Sequence, residues 1–568
     1  MIQAPPHSMK GSTMLRHTFR WLAVAAGAAC LLLPVPSRAE DSAAETRLTI
    51  LHTSDLHGTV LPFDDFTDRP STRGSLVQVA TIVDRVRAEA GHPVLVLDSG
   101  DTIQGTPFEQ FVGVRWGGAS PTITAMNEIG YDAMAVGNHE FNFGLEVLRR
   151  AEALATFPML SANTLAEATG KPAFAPYTVL ERDGVRIGLL GLVTPNVPAW
   201  EKPANYQGLT FEPMDEAARR WVPVLRDDME CDLVVVLAHT GFEYDSDNPD
   251  ADPENYLGRL AAVPGIDLVL SGHTHTDMPP EEIGGAIVSQ PWARARRLTR
   301  IDLELTRDES GWRITRWEGS NLPTGGDQPD AELVDLFSGD HTRVREALDG
   351  PIGEVTSTVS ADRCRLEDCA LLDFLHEVQL EASGADLSLA SLLAYSTPEL
   401  EPGPVTWRWI HSFYVYPNTL AAVRLSGAQI RDILEHTARY YDGLECDEDG
   451  CTVLGDPDIP HYNVDGMSGL SYRIDPTRPE GSRIRDIRYR GGELDLEATF
   501  TVACNSYRTA GGGNFPHLAD AELVWWSSEE ITALMGSYLE RHGPWRPSAD
   551  GNWWIGRDLV GEVKVGAD

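Results

Sequence analysis

From Leu48 to about Leu305, short apolar runs alternate with longer stretches of helical period. The runs Leu48–Leu51, Val94–Leu97, Ala133–Val136, Ile187–Leu192, Leu233–Leu237 and Leu268–Leu270 are rich in Leu, Ile and Val. Each gives way to polar or glycine-bearing residues. A strand covered on both faces needs a continuous apolar run of this length, and alternation with helices predicts an α/β layered domain. Over Asn321–Asp330 the pattern breaks at Pro323, Gly325, Gly326 and Pro329, which is a linker signal, and a helix is expected over Ala331–Leu348. A second, smaller domain opens near Pro351. Its clearest helix is Gly427–Tyr441, where Ile430, Ile433, Leu434, Ala438 and Tyr441 share a face. Strands are expected near Leu470–Ile474 and Thr499–Cys504, around a charged hairpin. Trp545, Trp553 and Trp554 read as a packing segment near the C-terminal end. The expected division is 1–39 as a removable segment, 40–320, a linker and helix over 321–350, and 351–568.

The removable segment is a signal peptide by pattern. Arg16 and Arg20 precede an apolar run from Trp21 to Leu33, Pro34 and Pro36 break it, and Ser37-Arg38-Ala39 stands before Glu40. The expected location is therefore secreted or periplasmic. No later run is long and apolar enough to span a membrane, so no stable span is expected in the mature chain. Cys30 leaves with the signal. Cys364 with Cys369, and Cys446 with Cys451, each lie five apart, and in an exported protein these four read as disulfide-forming. Zinc binding by the four is the rival, but their spacing is wider than the two-residue knuckle usual for structural zinc. Cys231 and Cys504 adjoin apolar strands and read as buried thiols.

Charge excludes one class of partner. The chain has 568 residues, with Lys+Arg 46 against Asp+Glu 85 and a net charge of −39. Long nucleic acid needs a basic footprint that this chain lacks. A small phosphate substrate is not excluded, because bound cations invert the local field.

Candidate chemistry sits where the apolar runs end. Asp55-Leu56-His57 follows the first, Gly100-Asp101 the second and Gly137-Asn138-His139-Glu140 the third. His239 follows Leu233–Leu237, and Gly272-His273-Thr274-His275 follows Leu268–Leu270. In open α/β sheets ligands bind at the carboxyl ends of strands, so these clusters can converge on one mouth. Carboxylates, an amide oxygen and imidazoles suit divalent first-row ions, and seven such residues exceed what one ion needs. A shared carboxylate would allow two ions about 3.5–4 Å apart, the spacing of two-metal hydrolases.

These five clusters resemble the motifs of the calcineurin-like metallophosphoesterases, and their order and spacing are similar to those of the exported nucleotidase branch. The resemblance implies a four-layer α/β-β/α metallophosphoesterase domain, followed by a smaller α+β nucleotide-binding C-terminal domain. It implies that Asp55, His57 and His275 hold one metal, that Asn138, His239 and His273 hold another, and that Asp101 bridges them. The ions would be Mn²⁺, Zn²⁺, Co²⁺ or Fe²⁺. His139 is implied not to be a ligand but to face the phosphate, with Asn142 beside it where 5′-nucleotidases usually carry Asp. Asn at this place is usual in relatives that act on 2′,3′-cyclic and 3′-nucleotides.

The C-terminal half narrows the substrate to a small nucleotide. Tyr507-Arg508-Thr509-Ala510-Gly511-Gly512-Gly513 follows one apolar strand and Tyr416-Pro417-Asn418-Thr419-Leu420 precedes another. The resemblance implies that Tyr416 and Tyr507 sandwich the base, with Asn418, Gly511 and Gly512 beside them. A stacking clamp tolerates different bases, and glycines let backbone come close. The runs Asn505–Arg508, Tyr462–Asp465 and Pro198–Trp200 resemble the cyclic-phosphodiesterase/3′-nucleotidase branch. The glycine-rich, arginine-bearing loop of 5′-nucleotidases is replaced by Leu392–Leu400. The expected reaction is two-metal hydrolysis of a 2′,3′-cyclic nucleotide to a 3′-nucleotide and then to a nucleoside. The rivals are a 5′-nucleotidase or nucleotide-sugar hydrolase, a thiosulfohydrolase relative, and an exported nucleotide-binding protein without activity. The last predicts lost ligands, yet each ligand position is filled.

Overall fold

The computed structural model describes residues 44–556, except 202, 243–253, 310, 395–396, 417, 448–449 and 457–458, with backbone only for 199, 442–447, 450–454 and 528. The expected signal peptide lies outside the described residues.

Two six-stranded sheets face each other in the first half. One runs in the order Gly311–Pro323, Arg297–Asp308, Glu45–Thr53, Val94–Asp98, Ala133–Ala135, Met159–Leu160. The other runs Asp277–Ile283, Ala286–Pro291, Leu268–Ser271, Leu233–His239, Val185–Val193, Tyr177–Arg182. Their central strands pair in parallel. Alternation along each strand divides the core. Ile50, Leu97, Ile187, Leu189, Val235 and Leu237 meet between the sheets. Leu51, Val96 and Met134 pack outward against helices Leu76–Ala90 and Pro121–Ile129. Val234, Val236 and Ala238 pack outward against Met214–Pro223 and Leu257–Ala261. The result is the expected helix/sheet/sheet/helix stack. Gly191 lets the sheets close: a Cβ there would lie 2.3 Å from Leu160 Cβ.

The linker is shorter than the sequence pattern suggests. Strand Gly311–Pro323 runs through Asn321 and pairs with Arg297 up to Pro323, so the break begins at Thr324. Proline is tolerated there because this is an edge strand and its last residue. The helix Ala331–Leu348 follows as expected, N-capped by Asp330, whose side chain accepts from Leu333 N.

The second half is built on a mixed sheet in the order Gly466–Ser468, Leu387–Ala390, Thr499–Asn505, Thr419–Ser426, Glu522–Glu530. Helix Ala370–Ser383 packs on it together with Ile531–His542 and Trp545. The helix expected over Gly427–Tyr441 ends at Ala438. Ser426 and Gln429 form a capping box at its start. Tyr441 is buried but opens the hairpin Tyr441–Asp447/Gly450–Gly455. Trp545 and Trp553 are buried, whereas Trp554 is exposed. Cys364 and Cys369 form a disulfide, and Cys231 and Cys504 are buried thiols. Cys446 and Cys451 stand directly opposite in the hairpin backbone, and their side chains lie outside the described residues.

Candidate active site

The loops that end the parallel strands are sewn to one another. Asp55 N donates to Gly100 O at 2.8 Å and His57 N to Asp101 O at 2.9 Å, tying the first loop to the second. His273 N donates to both Asp55 carboxylate oxygens, at 3.0 and 3.1 Å, which reaches across to the other sheet. His139 N donates to Asp101 Oδ1 at 2.8 Å.

Two groups of side chains result. Asp55, His57 and His275 offer atoms within 4.8 Å of one another, as do Asp101, His239 and His273. His57 Nε2 lies 3.0 Å from His275 Nε2, and His275 Nε2 is 3.4 Å from Asp55 Oδ1. His239 Nε2 lies 3.0 Å from Asp101 Oδ2, and His139 Nε2 is 3.9 Å from that same oxygen. Six of the seven residues expected as ligands fall in these two groups, and the seventh, Asn138, lines the same cleft as His139 and His273.

The polar chemistry here fits cations. His57 Nδ1 faces two carbonyl oxygens of Gln104, both at 3.1 Å, and His239 Nδ1 faces Ser99 O at 2.8 Å. Carbonyl oxygens only accept, so both rings donate from Nδ1, which leaves His57 Nε2 facing His275 Nε2 and His239 Nε2 facing the Asp101 carboxylate. Asn138 Oδ1 and His239 Nε2 are buried without a well-formed hydrogen bond, although His239 Nε2 stands 3.0 Å from Asp101 Oδ2. Such orphaned acceptors are costly unless something positive meets them. Burial opposes a charge on Asp55, yet the His275 hydrogen bond and the charges of His275 and His239 outweigh it and hold the carboxyl at about 2. Burial would also lower His239, but Asp101, then Asp55 and Glu140, drive it up to about 10. The protein's own field asks for a positive charge at this point, and a divalent ion answers that demand as a proton does. Burial, reinforced by His275, pushes His57 down to about 3, which keeps its nitrogen available.

Several supporting residues carry no signal of their role in the sequence. Glu140, fully buried, accepts from the backbone N–H of Asp101, Thr102, Ile103 and Gly137 at 2.6–3.2 Å. It locks the second and third loops together. Glu254 Oε1 is 2.6 Å from His273 Nε2, and Trp200 stacks obliquely at 5.4 Å on the His273 ring. Asn142, by contrast, is already marked by the sequence as the neighbour of His139, and its Oδ1 lies 2.7 Å from His139 Nδ1. In the sequence Glu140 is visible only as part of a motif, and Trp200 as part of a run.

A cleft of about 890 Å³ opens from this mouth. Its walls include Asn138, His139 and Asn142 from the first half and Tyr416, Asn418 and Tyr507 from the second. Tyr507 lies in the one-turn helix Ser506–Thr509, whose N-cap Asn505 accepts from Arg508 N at 2.9 Å. Arg508 is buried and pairs with Asp465 at 2.7 and 2.9 Å, which anchors the turn. Gly511 and Gly512 line the same wall, with Gly511 at φ +96. A Cβ on Gly512 would lie 2.4 Å from the Tyr507 ring, so this glycine seats the protein's own tyrosine. Tyr416 is 42% exposed, with a face open to the cleft.

Residues 48–277 match the calcineurin-like phosphoesterase family and residues 351–520 the 5′-nucleotidase C-terminal domain. A 2′,3′-cyclic-nucleotide 2′-phosphodiesterase/3′-nucleotidase from Yersinia enterocolitica is 31% identical, over 90% of this chain and 88% of that protein. The protein of that name from Salmonella typhimurium is also 31% identical, over 92% and 91%. Among solved structures, a Staphylococcus aureus protein described as a candidate 5′-nucleotidase superposes with a TM-score of 0.77 at 25% identity, over 90% of this chain and all of that one.

Proposed function

The chain belongs to the calcineurin-like phosphoesterases that carry a 5′-nucleotidase C-terminal domain, and from that premise we propose that it opens 2′,3′-cyclic nucleotides and then dephosphorylates the 3′-nucleotide to a nucleoside. It is a metal-dependent phosphoric ester hydrolase. The observation that carries the substrate reading is the cleft in which the metal-type groups and His139 share walls with Tyr416 and Tyr507. The likeness over about nine-tenths of the chain to relatives named for both reactions supports pairing the two steps.

Asp55, His57 and His275 would hold one divalent ion, Asn138, His239 and His273 a second, and Asp101 would serve both. Mn²⁺, Zn²⁺, Co²⁺ and Fe²⁺ all suit this donor set. When bound, such ions supply positive charge to the phosphoryl oxygens and make water more acidic. The chain's own groups do the rest. His139, bonded through Nδ1 to Asn142, turns Nε2 to the cleft, where it can hold a proton against the charge that develops on the phosphate or leaving oxygen. Tyr416 and Tyr507 would flank the base and keep the ester over the ions. Asn142 and the two tyrosines favour the cyclic/3′ branch over the 5′-nucleotidases.

We assign catalysis to 40–320 and substrate binding to 351–568, joined through 321–350. We also assign export to the Arg16–Ala39 pattern, which the Cys364–Cys369 disulfide supports. Among the described residues no helix is long and apolar enough to cross a membrane. Phosphate release from 2′,3′-cyclic AMP, 3′-AMP and 5′-AMP, measured in parallel on metal-reconstituted protein, tests the reading. Preference for the first two is expected, with 3′-AMP appearing transiently from the cyclic substrate. Preference for 5′-AMP would overturn it.

A further inference from the structure

A chain of polar groups runs back from His139 into the wall of the cleft. His139 Nδ1 meets Asn142 Oδ1 at 2.7 Å, and Asn142 Nδ2 donates to Glu201 Oε1. Asn205 Nδ2 donates to Glu201 Oε2 at 2.8 Å and to Asn142 O at 2.8 Å. Glu201 and Asn205 are buried. Glu201 stands at the end of the helical turn Val197–Trp200, where its N–H bonds Val197 O at 3.0 Å. It therefore reaches from the second sheet's loops to the loop that carries His139.

Donor and acceptor chemistry gives this chain a direction. A side-chain amide can present either its oxygen or its NH₂, so Asn142 alone does not fix which ring nitrogen of His139 is protonated. An ionised carboxylate only accepts. With Asn142 and Asn205 both donating to Glu201, Asn142 must turn its oxygen to the ring, His139 must carry its proton on Nδ1, and Nε2 is left to the cleft. We propose that Glu201 is a positioning residue for His139, acting through Asn142 to set the tautomer and direction of the ring. This rests on the reading of His139 as the residue that faces the phosphate. The pair Asn142–Glu201 then does in two links what an aspartate against the ring does in one, with polarity that is fixed only while the second link is a carboxylate.

That polarity can be exchanged. Glu201→Gln brings an NH₂ among donors and frees Asn142 to turn over. Asn142→Asp places a carboxylate against Glu201. In the double variant the contacts are complementary again, since the carboxylate then at position 142 accepts both from the His139 ring and from the amide then at position 201. Steady-state kcat and KM on 2′,3′-cyclic AMP and 3′-AMP would be measured for both single variants, the double variant and His139→Ala. Metal content would be measured on each Mn²⁺-reconstituted protein, and rates normalised to the folded fraction. Each single variant should lose about 10- to 100-fold in kcat with KM little changed. The double should recover to within about threefold of the native rate, the coupling expected of residues in one network. Native kcat in Glu201→Gln, or a double no faster than Asn142→Asp, would overturn the proposal. The second comparison stands even if Glu201→Gln does not fold. His139→Ala separates the two readings. Full activity there would overturn the role of His139 itself, whereas loss of activity with metals retained, and no rescue in the double, would overturn only the role of Glu201.

Discussion

Asp55, His57, Asp101, His273 and His275 all adopt positive φ, between 46 and 76. Non-glycine residues enter that left-handed region at about 1–2 kcal/mol each. The strain persists because backbone bonds between the loops and the Glu140 clamp over-determine their shape, and it aims five ligand-type side chains at one volume. A different conflict sits in the C-terminal half. Asp373 is buried beside Asp368 and Asp550, and it accepts from Asp550 N at 2.8 Å. Burial, helped by the charges of Asp368 and Asp550, pushes Asp373 up to about 7 against an ordinary 3.8, although the backbone bond opposes this. Between these two values the folded protein keeps a proton that the unfolded chain has released, so this group's contribution to stability falls as pH rises through the window and levels off above about 7. Asp373→Asn keeps the acceptor and removes the titration. Its melting temperature relative to the native protein should therefore rise from pH 5 to pH 8, read by scanning calorimetry in one buffer series. A difference that stays constant with pH would show that Asp373 titrates as an ordinary carboxylate.

At the scale of elements, the sequence reveals what is periodic and hides what is reciprocal. The buried strands are legible because each is a short Leu/Ile/Val run. The residues proposed as ligands are legible because each follows such a run. The apolar face of helix Gly427–Ala438 continues in the sequence to Tyr441, while the backbone has already turned into a hairpin, so the pattern overruns the helix. Glu140 is not legible as a clamp, since its partners are main-chain N–H groups that no side-chain pattern marks. Glu201 is not legible either, because its partner Asn142 is 59 residues away. The clamp makes a prediction for the two loops it joins. Glu140→Gln replaces one acceptor oxygen by a donor facing backbone N–H groups, so the loops carrying Asp101 and Asn138 should part. Metal affinity should fall by about 10- to 100-fold, seen as an earlier loss of activity in chelator competition. An unchanged chelator midpoint would mean that the loops hold their shape without it.

On the scale of the whole molecule, the proposed reading divides the recognition of one ligand between the two halves. The chain is strongly acidic, with a net charge of −39, yet its candidate substrate is an anion. Long-range attraction therefore cannot gather it, and affinity must come from cations at one end of the cleft and from stacking at the other. The two sources are separable. Stacking of a base on aromatic rings is worth roughly 1–3 kcal/mol per base, which at about 1.4 kcal/mol per decade is on the order of fivefold to a hundredfold in affinity for the two rings together. Tyr416→Ala combined with Tyr507→Ala should therefore raise KM for 2′,3′-cyclic AMP and 3′-AMP severalfold to a hundredfold. Turnover of a small aryl phosphodiester, which lacks a nucleobase, should change little, because the metal-type groups are held by bonds within the first half. Gly512→Ala should move in the same direction, since its methyl group would displace the Tyr507 ring from its seat. Equal losses on nucleotides and on the aryl ester would mean that the aromatic wall positions the phosphate and not the base, and the division of labour between the halves would have to be redrawn.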